Sequence, residues 1–236
     1  MSAENLSGRG EQSSPFNRSA QHQAKRAAIL SEAARLFNLK GSRATTLQDI
    51  AETLGLTKTS LYYYVSTKEE LIYQCYVAAL QHHGRVLDEI ERAHREPLQR
   101  LVAFLMRHFE DWEAAQTGRV PHIAALLEIA ALKIPHRQDV EAQYIAIFKR
   151  LREFVRRGIA EGSIRPLEPT STILAVLGSL DWTFSWLRAV PAKKVGATAD
   201  AALDLFTHGL FAGPGSYQAA KLVQPPITGN AMPGFN

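Results

Sequence analysis

The sequence predicts an all-α protein. Three short helices carrying a helix-turn-helix are joined by a long fourth helix to a carboxyl-terminal helical bundle, about nine helices in all. Three observations carry this expectation. Between positions 20 and 212 apolar residues recur at helical spacing, and no stretch alternates apolar and polar residues as a half-buried strand would. Hydroxyl caps and prolines mark helix starts at intervals along the chain. The net charge of +4 is confined to one block, residues 20–68, which hold seven Lys and Arg against three acids, while the flanking segments each balance. A basic head on a neutral body suits a polyanion partner and a second job for the body.

The elements follow in order. In "AKRAAILSEAARLFNLKG" the residues Ile29, Ala33, Leu36 and Phe37 lie on one helical face, and Gly41 stops the helix. Thr46 caps a second helix that buries Leu47, Ile50, Ala51 and Leu54. Gly55 ends it, and Thr57 caps a third covering 58–64. Thr67 followed by "KEEL" places a hydroxyl cap and acids in the first turn of a long fourth helix, through Ile72, Tyr76, Leu80, Leu87 and Ile90. Pro97, Pro121, Pro135 and Pro169 are expected in the first turns of four more, and "ATADAALDLFTHGLF" forms the last. The expected organisation is a flexible arm at 1–18, a helix-turn-helix domain at 19–66, a ligand-binding and dimerisation domain at 67–213, and a loose tail at 214–236.

Residues 47–64 meet three spacing demands of a DNA-reading helix pair together. Ala51 is small where the helices cross, Gly55 sits where the turn needs a positive φ, and Leu61 re-enters the core. "TTLQDIAETLGLTKTSLYYYVSTKEEL" resembles the amino-terminal domain of the TetR family of bacterial repressors, which usually shows Gly where Thr59 stands and Phe where Val65 stands. On this reading Lys58, Thr59 and Ser60 face base edges. Tyr62 and Tyr63 pack on sugars and bond phosphates, whereas Tyr64 turns inward. Thr46, Thr57 and Lys68, at helix starts, hold phosphates.

A single recognition helix binds weakly, so a homodimer reading two half-sites is expected. The last two helices, with Ile173, Leu174, Leu177, Leu180 and Phe184 on one and Ala201, Leu205, His208 and Gly209 on the other, are its interface in the arrangement the family implies; the same stripes could instead close the monomer's core. The middle helices are richer in large apolar groups than a thin bundle needs. In TetR-like proteins this region encloses a ligand cavity, which makes Phe104, His108, Trp112, His122, Leu126, Tyr144, Phe148, Trp182 and Trp186 the candidate ligand-binding residues, with Gln143 and Asp181 as further polar groups. "SLDWTFSWLRAVPAKKVGATADAALDLFTHGL" is similar to the family's regulators of fatty-acid and steroid breakdown, many of which sense acyl-CoA thioesters. Trp186 and Arg188 fit that pattern, Leu187 replaces an aromatic residue, and Pro191 falls two positions late. Arg150, Arg152 or Arg188 would suit a phosphate-bearing acyl chain, or form a solvated face.

The resemblance implies a repressor released from a double-stranded DNA operator by a small, largely apolar effector, through a shift in the spacing of two heads. A helical protein–protein adaptor is the alternative, and a small-molecule enzyme a more distant one. No His-Glu-x-x-His, phosphate-binding glycine loop or nucleophile elbow is present, and His82 and His83 are adjacent, so no catalytic residue, metal or cofactor is expected. Only Cys75 is present, no stretch of 18 apolar residues exists, and the polar start is unlike a signal peptide, so a cytoplasmic protein without a membrane span is expected.

Overall fold

The computed structural model describes residues 15–126, 128–187 and 194–208, with side chains over 19–126, 128–180 and 194–206. Among these the chain forms eight α-helices and one 3-10 turn: α1 (Pro15–Lys40), α2 (Leu47–Thr53), α3 (Lys58–Tyr62), α4 (Lys68–Ala93), α5 (Pro97–Gln116), the turn Ile129–Ala131, α6 (His136–Glu161), α7 (Pro169–Leu187) and α8 (Val195–His208).

The local signals act as expected in the head. Thr46 Oγ1 accepts from the Asp49 N–H at 3.1 Å while Asp49 Oδ2 accepts from the Thr46 N–H at 2.8 Å, a reciprocal capping box for α2. Thr57 Oγ1 accepts from Ser60 N–H at 3.1 Å and Thr67 Oγ1 from Glu70 N–H at 3.0 Å, capping α3 and α4. Gly41 and Gly55 take φ of 80° and 65°, which a side chain would resist. Pro97 and Pro169 open α5 and α7. Two boundaries differ from the periodicity. α1 starts at Pro15, and α3 stops at Tyr62, with Tyr63 as its carboxyl cap.

One expected helix is not formed. Pro121 opens no helix; residues 121–126 run as an irregular strap, followed by the short turn at Ile129–Ala131. The hydrogen bonds a helix would make internally go to distant side chains instead. His122 N–H donates to Ser31 Oγ at 2.9 Å, Ala125 N–H to Asn38 Oδ1 at 2.9 Å, and Glu128 N–H to the Tyr76 hydroxyl at 3.2 Å. The Asn38 amide also donates to the Ile123 carbonyl at 2.7 Å. These four backbone groups are thus held by α1 and α4, which offsets part of what a helix would have supplied.

Head and body share one core. Ile29, Ala33, Leu36, Ile50, Ala51 and Leu61 pack continuously with Leu71, Cys75, Tyr76 and Leu80 of α4 and with Ala124 and Val140 beyond it. α4 is the central rod, about 39 Å long at 1.5 Å per residue. It lies against α1, α5 and α6. Arg150 of α6 locks it further along, bonding Asp88 Oδ1 at 2.8 Å and Glu91 Oε1 at 3.0 Å.

Candidate nucleic-acid interface and cavity

At the tip of the head, Leu61 is fully buried and so fixes which face of α3 meets the core. The opposite face carries Lys58, Thr59, Ser60 and Tyr62, all exposed. Tyr62 is 46% and Tyr63 76% exposed, whereas Tyr64 is half-buried and stacks on His22 of α1 with ring centroids 4.9 Å apart. The inward turn expected of Tyr64 is therefore present, and His22 is a neighbour that sequence spacing did not suggest. Lys58 Nζ lies 5.8 Å from the centre of the Tyr62 ring, close enough for the cation to steady the ring. Thr57 and Ser60 hydroxyls bond each other at 2.8 Å, so at this helix start they serve first as a cap. Thr46 is exposed at the start of α2, and Lys68 half-buried at the start of α4.

Behind the head lies a cavity of about 90 Å³, open at its mouth. Seven of the nine residues expected around a ligand line it: Phe104, His108 and Trp112 from α5, His122 and Leu126 from the strap, and Tyr144 and Phe148 from α6. Trp182 and Trp186, like Asp181 and Arg188, lie outside the described side chains. Gln143 is not in the wall and donates to Asp139 Oδ2 at 2.9 Å. The wall also holds polar residues that sequence reasoning missed: Asn38 of α1, His83 of α4 and Asp111 of α5.

The wall is mostly apolar, and its histidines are neutral. Burial pushes the His83 imidazole well below its ordinary value, helped by the nearby His108 and His82. His108 is lowered chiefly by burial, and its Nδ1–H donates to the Phe104 carbonyl at 3.0 Å. The two rings sit 4.7 Å apart. Burial would raise the Asp111 carboxyl, but bonds from His82 Nε2 at 2.6 Å and Arg107 Nε at 2.9 Å outweigh it and hold the group below the usual carboxylate range. Arg150 does not face the cavity, being committed to Asp88 and Glu91, and Arg152 is exposed on α6. The described arginines of α6 thus offer the cavity no phosphate partner.

The stripe on α7 divides. Ile173 and Leu180 are buried within the chain and Leu177 lines the cavity, so these close the monomer; Leu174, at 57% exposure, does not. On α8, Ala201 and Leu205 are exposed as expected, Leu205 at 42%. No helix among the described residues is long and apolar enough to cross a membrane.

Comparison with known proteins agrees with this geometry. The sequence profile of "Bacterial regulatory proteins, tetR family" matches residues 29–75, and that of "Tetracyclin repressor-like, C-terminal domain" matches residues 94–210. The chain is 30% identical to the TetR family regulator PfmR of Thermus thermophilus, covering 78% of this chain and 96% of that one with a TM-score of 0.62. It is 28% identical over 182 residues to the transcriptional repressor KstR2 of Mycolicibacterium smegmatis, 75% of this chain and 87% of that protein. It is also similar to AibR, solved in complex with isovaleryl coenzyme A and operator DNA, at 25% identity and a TM-score of 0.62 over 79% of this chain and all of that one. A tyrosine-rimmed helix-turn-helix on a hollow helical body, matched by family profiles at both ends, makes this chain a member of the TetR family of bacterial regulatory proteins, a DNA-binding transcriptional regulator and not an enzyme.

Proposed function

We propose that the protein is a homodimeric repressor that leaves its operator when a small, largely apolar effector fills the cavity. The observation that carries this reading is the core shared between the reading head and the cavity wall, which gives a ligand a packed route to the recognition helix. Residues 19–66 act as the head and 67–213 as sensor and dimer base. Lys58, Thr59 and Ser60 meet base edges; Thr46, Thr57, Tyr62, Tyr63 and Lys68 hold the phosphate backbone. Two copies pair through the outward faces of α7 and α8, around Leu174, Ala201 and Leu205, and read half-sites about 34 Å apart or a multiple of that. An acyl thioester is the effector class favoured, since AibR was solved with isovaleryl coenzyme A and the wall here is mostly apolar, with Asp111 as its one charged residue, already paired with Arg107 and His82.

The test is electrophoretic mobility of a duplex from the gene's own upstream region, with sedimentation of the purified protein alongside. A dimer that retards this duplex, and is displaced by an acyl-CoA, is the expected result. A monomer that ignores the duplex even at low ionic strength would overturn the reading and favour a protein-binding adaptor.

A further inference from the structure

The strap at 121–126 belongs to two things at once. Its His122, Ile123, Ala124, Ala125 and Leu126 form one wall of the cavity, yet its backbone hangs on α1, an element of the reading head. The Asn38 side chain makes the main attachment. One amide group donates to Ile123 O at 2.7 Å and accepts from Ala125 N–H at 2.9 Å, gripping the strap on both sides of Ala124, which is 3% exposed in the shared core. Ser31 Oγ holds His122 N–H about two turns earlier on α1. Asn38 itself also lines the cavity. α1 packs against α2, which packs against α3, and Ile29, Ala33 and Leu36 share one buried cluster with Leu61, the buried anchor of the recognition helix.

We propose that effector sensing works through this clasp: Asn38 is a ligand-contacting residue of the reading head, and an effector carrying a neutral carbonyl or hydroxyl takes over one of its amide bonds and frees the strap from α1. This rests on the repressor reading above. The exchange keeps Asn38 satisfied but leaves Ile123 O or Ala125 N–H of the strap without its partner, a cost met only if the strap moves to where that group finds a new one. The energy of burying the effector's apolar part is then available to move the strap. Freed of its tether, α1 can re-seat with α2 and Leu61, and the recognition helix changes its tilt to the groove.

Linkage supplies a test that needs no effector. If the clasped state is the one that binds DNA, DNA must make the clasp harder to open by the same factor by which unclasping weakens DNA binding. Hydrogen–deuterium exchange of the full chain is measured with and without the gene's own upstream duplex, at concentrations that saturate each protein. In the unaltered protein the protected amides of segment 121–126 are expected to slow at least about fivefold on DNA binding, the lower end of ordinary coupling. Asn38→Ala should abolish that slowing while the DNA stays bound. Ser31→Ala, which removes only the His122 tether, should reduce it and decides the matter if Asn38→Ala does not fold. Equal exchange with and without bound DNA in the unaltered protein overturns the clasp and leaves the repressor reading standing. Failure of the unaltered protein to bind the duplex overturns that reading, and the clasp with it.

Discussion

Replacing Lys68 with alanine isolates the electrostatic part of DNA binding. Lys68 occupies the first position of α4 and has no ion-pair partner among the described residues, while its neighbours are engaged: Glu69 with His136 at 2.9 Å, and Glu70 with the Ser66 N–H at 2.7 Å. The Thr67 cap needs only the backbone of Glu70, so α4 begins as before. Folding stability should therefore stay within about 0.5 kcal/mol. On the proposed contacts the substitution frees one phosphate in each half of the proposed dimer, and every phosphate neutralised contributes about 0.9 to the slope of log affinity against log salt. The slope should become shallower by about 1.8, so the variant's deficit should shrink about twelvefold between 50 and 200 mM salt. Fluorescence anisotropy of a labelled duplex at four salt concentrations measures this. Parallel lines for the two proteins would show that Lys68 touches no phosphate, and the orientation assigned to the head would be wrong.

Other outcomes follow from the same structure. Leu61→Ala empties a fully buried site in the head and should cost about 2–5 kcal/mol in urea denaturation, with loss of DNA binding. Leu174→Glu places a charge on the outward face of α7 and should convert a dimer to a monomer by light scattering. His83 and His108 are held below their unfolded values, so the unfolded chain binds more protons below about pH 6.5 and stability should fall there, by up to about 1.4 kcal/mol per pH unit for each. Denaturation curves at pH 7.5 and 5.5 should show this fall, and His83→Phe should reduce it. Burial pushes the Cys75 thiol up to about 12, so a thiol reagent at pH 8 should label the native protein only at the rate at which it opens.

The head was readable because its signals are local. Thr46, Thr57 and Thr67 cap within three residues of themselves, and Gly41 and Gly55 need only their own φ. The α-helical period likewise marked Leu61 as buried and Tyr62 as outward. What failed was set by remote partners. "PHIAALLEIAALK" has a helix's pattern, yet Ser31 and Asn38, 91 and 87 residues away, take its backbone bonds. The α7 stripe was legible as a stripe, but periodicity does not say whether a partner chain or the chain's own helices cover it; Leu180 is buried in a cluster with Leu105 and Phe109 of α5 and Val195 and Ala199 of α8, while Leu174 meets solvent. The helical period put His83 on the apolar face of α4 but not in the cavity, because its companion His108 comes from another helix. The aromatic richness of α5 and α6 did mark the cavity, since Phe104, Trp112 and Phe148 all face it.

The single core running from Ile29 to Val140 bears on anyone wishing to transplant this recognition module onto a different sensor. A cut after residue 66 would strip Leu71, Cys75 and Tyr76 from beneath α1 and leave greasy side chains facing water. A workable chimera would have to carry Ser31 and Asn38 together with the backbone they hold, or redesign both sides of that seam.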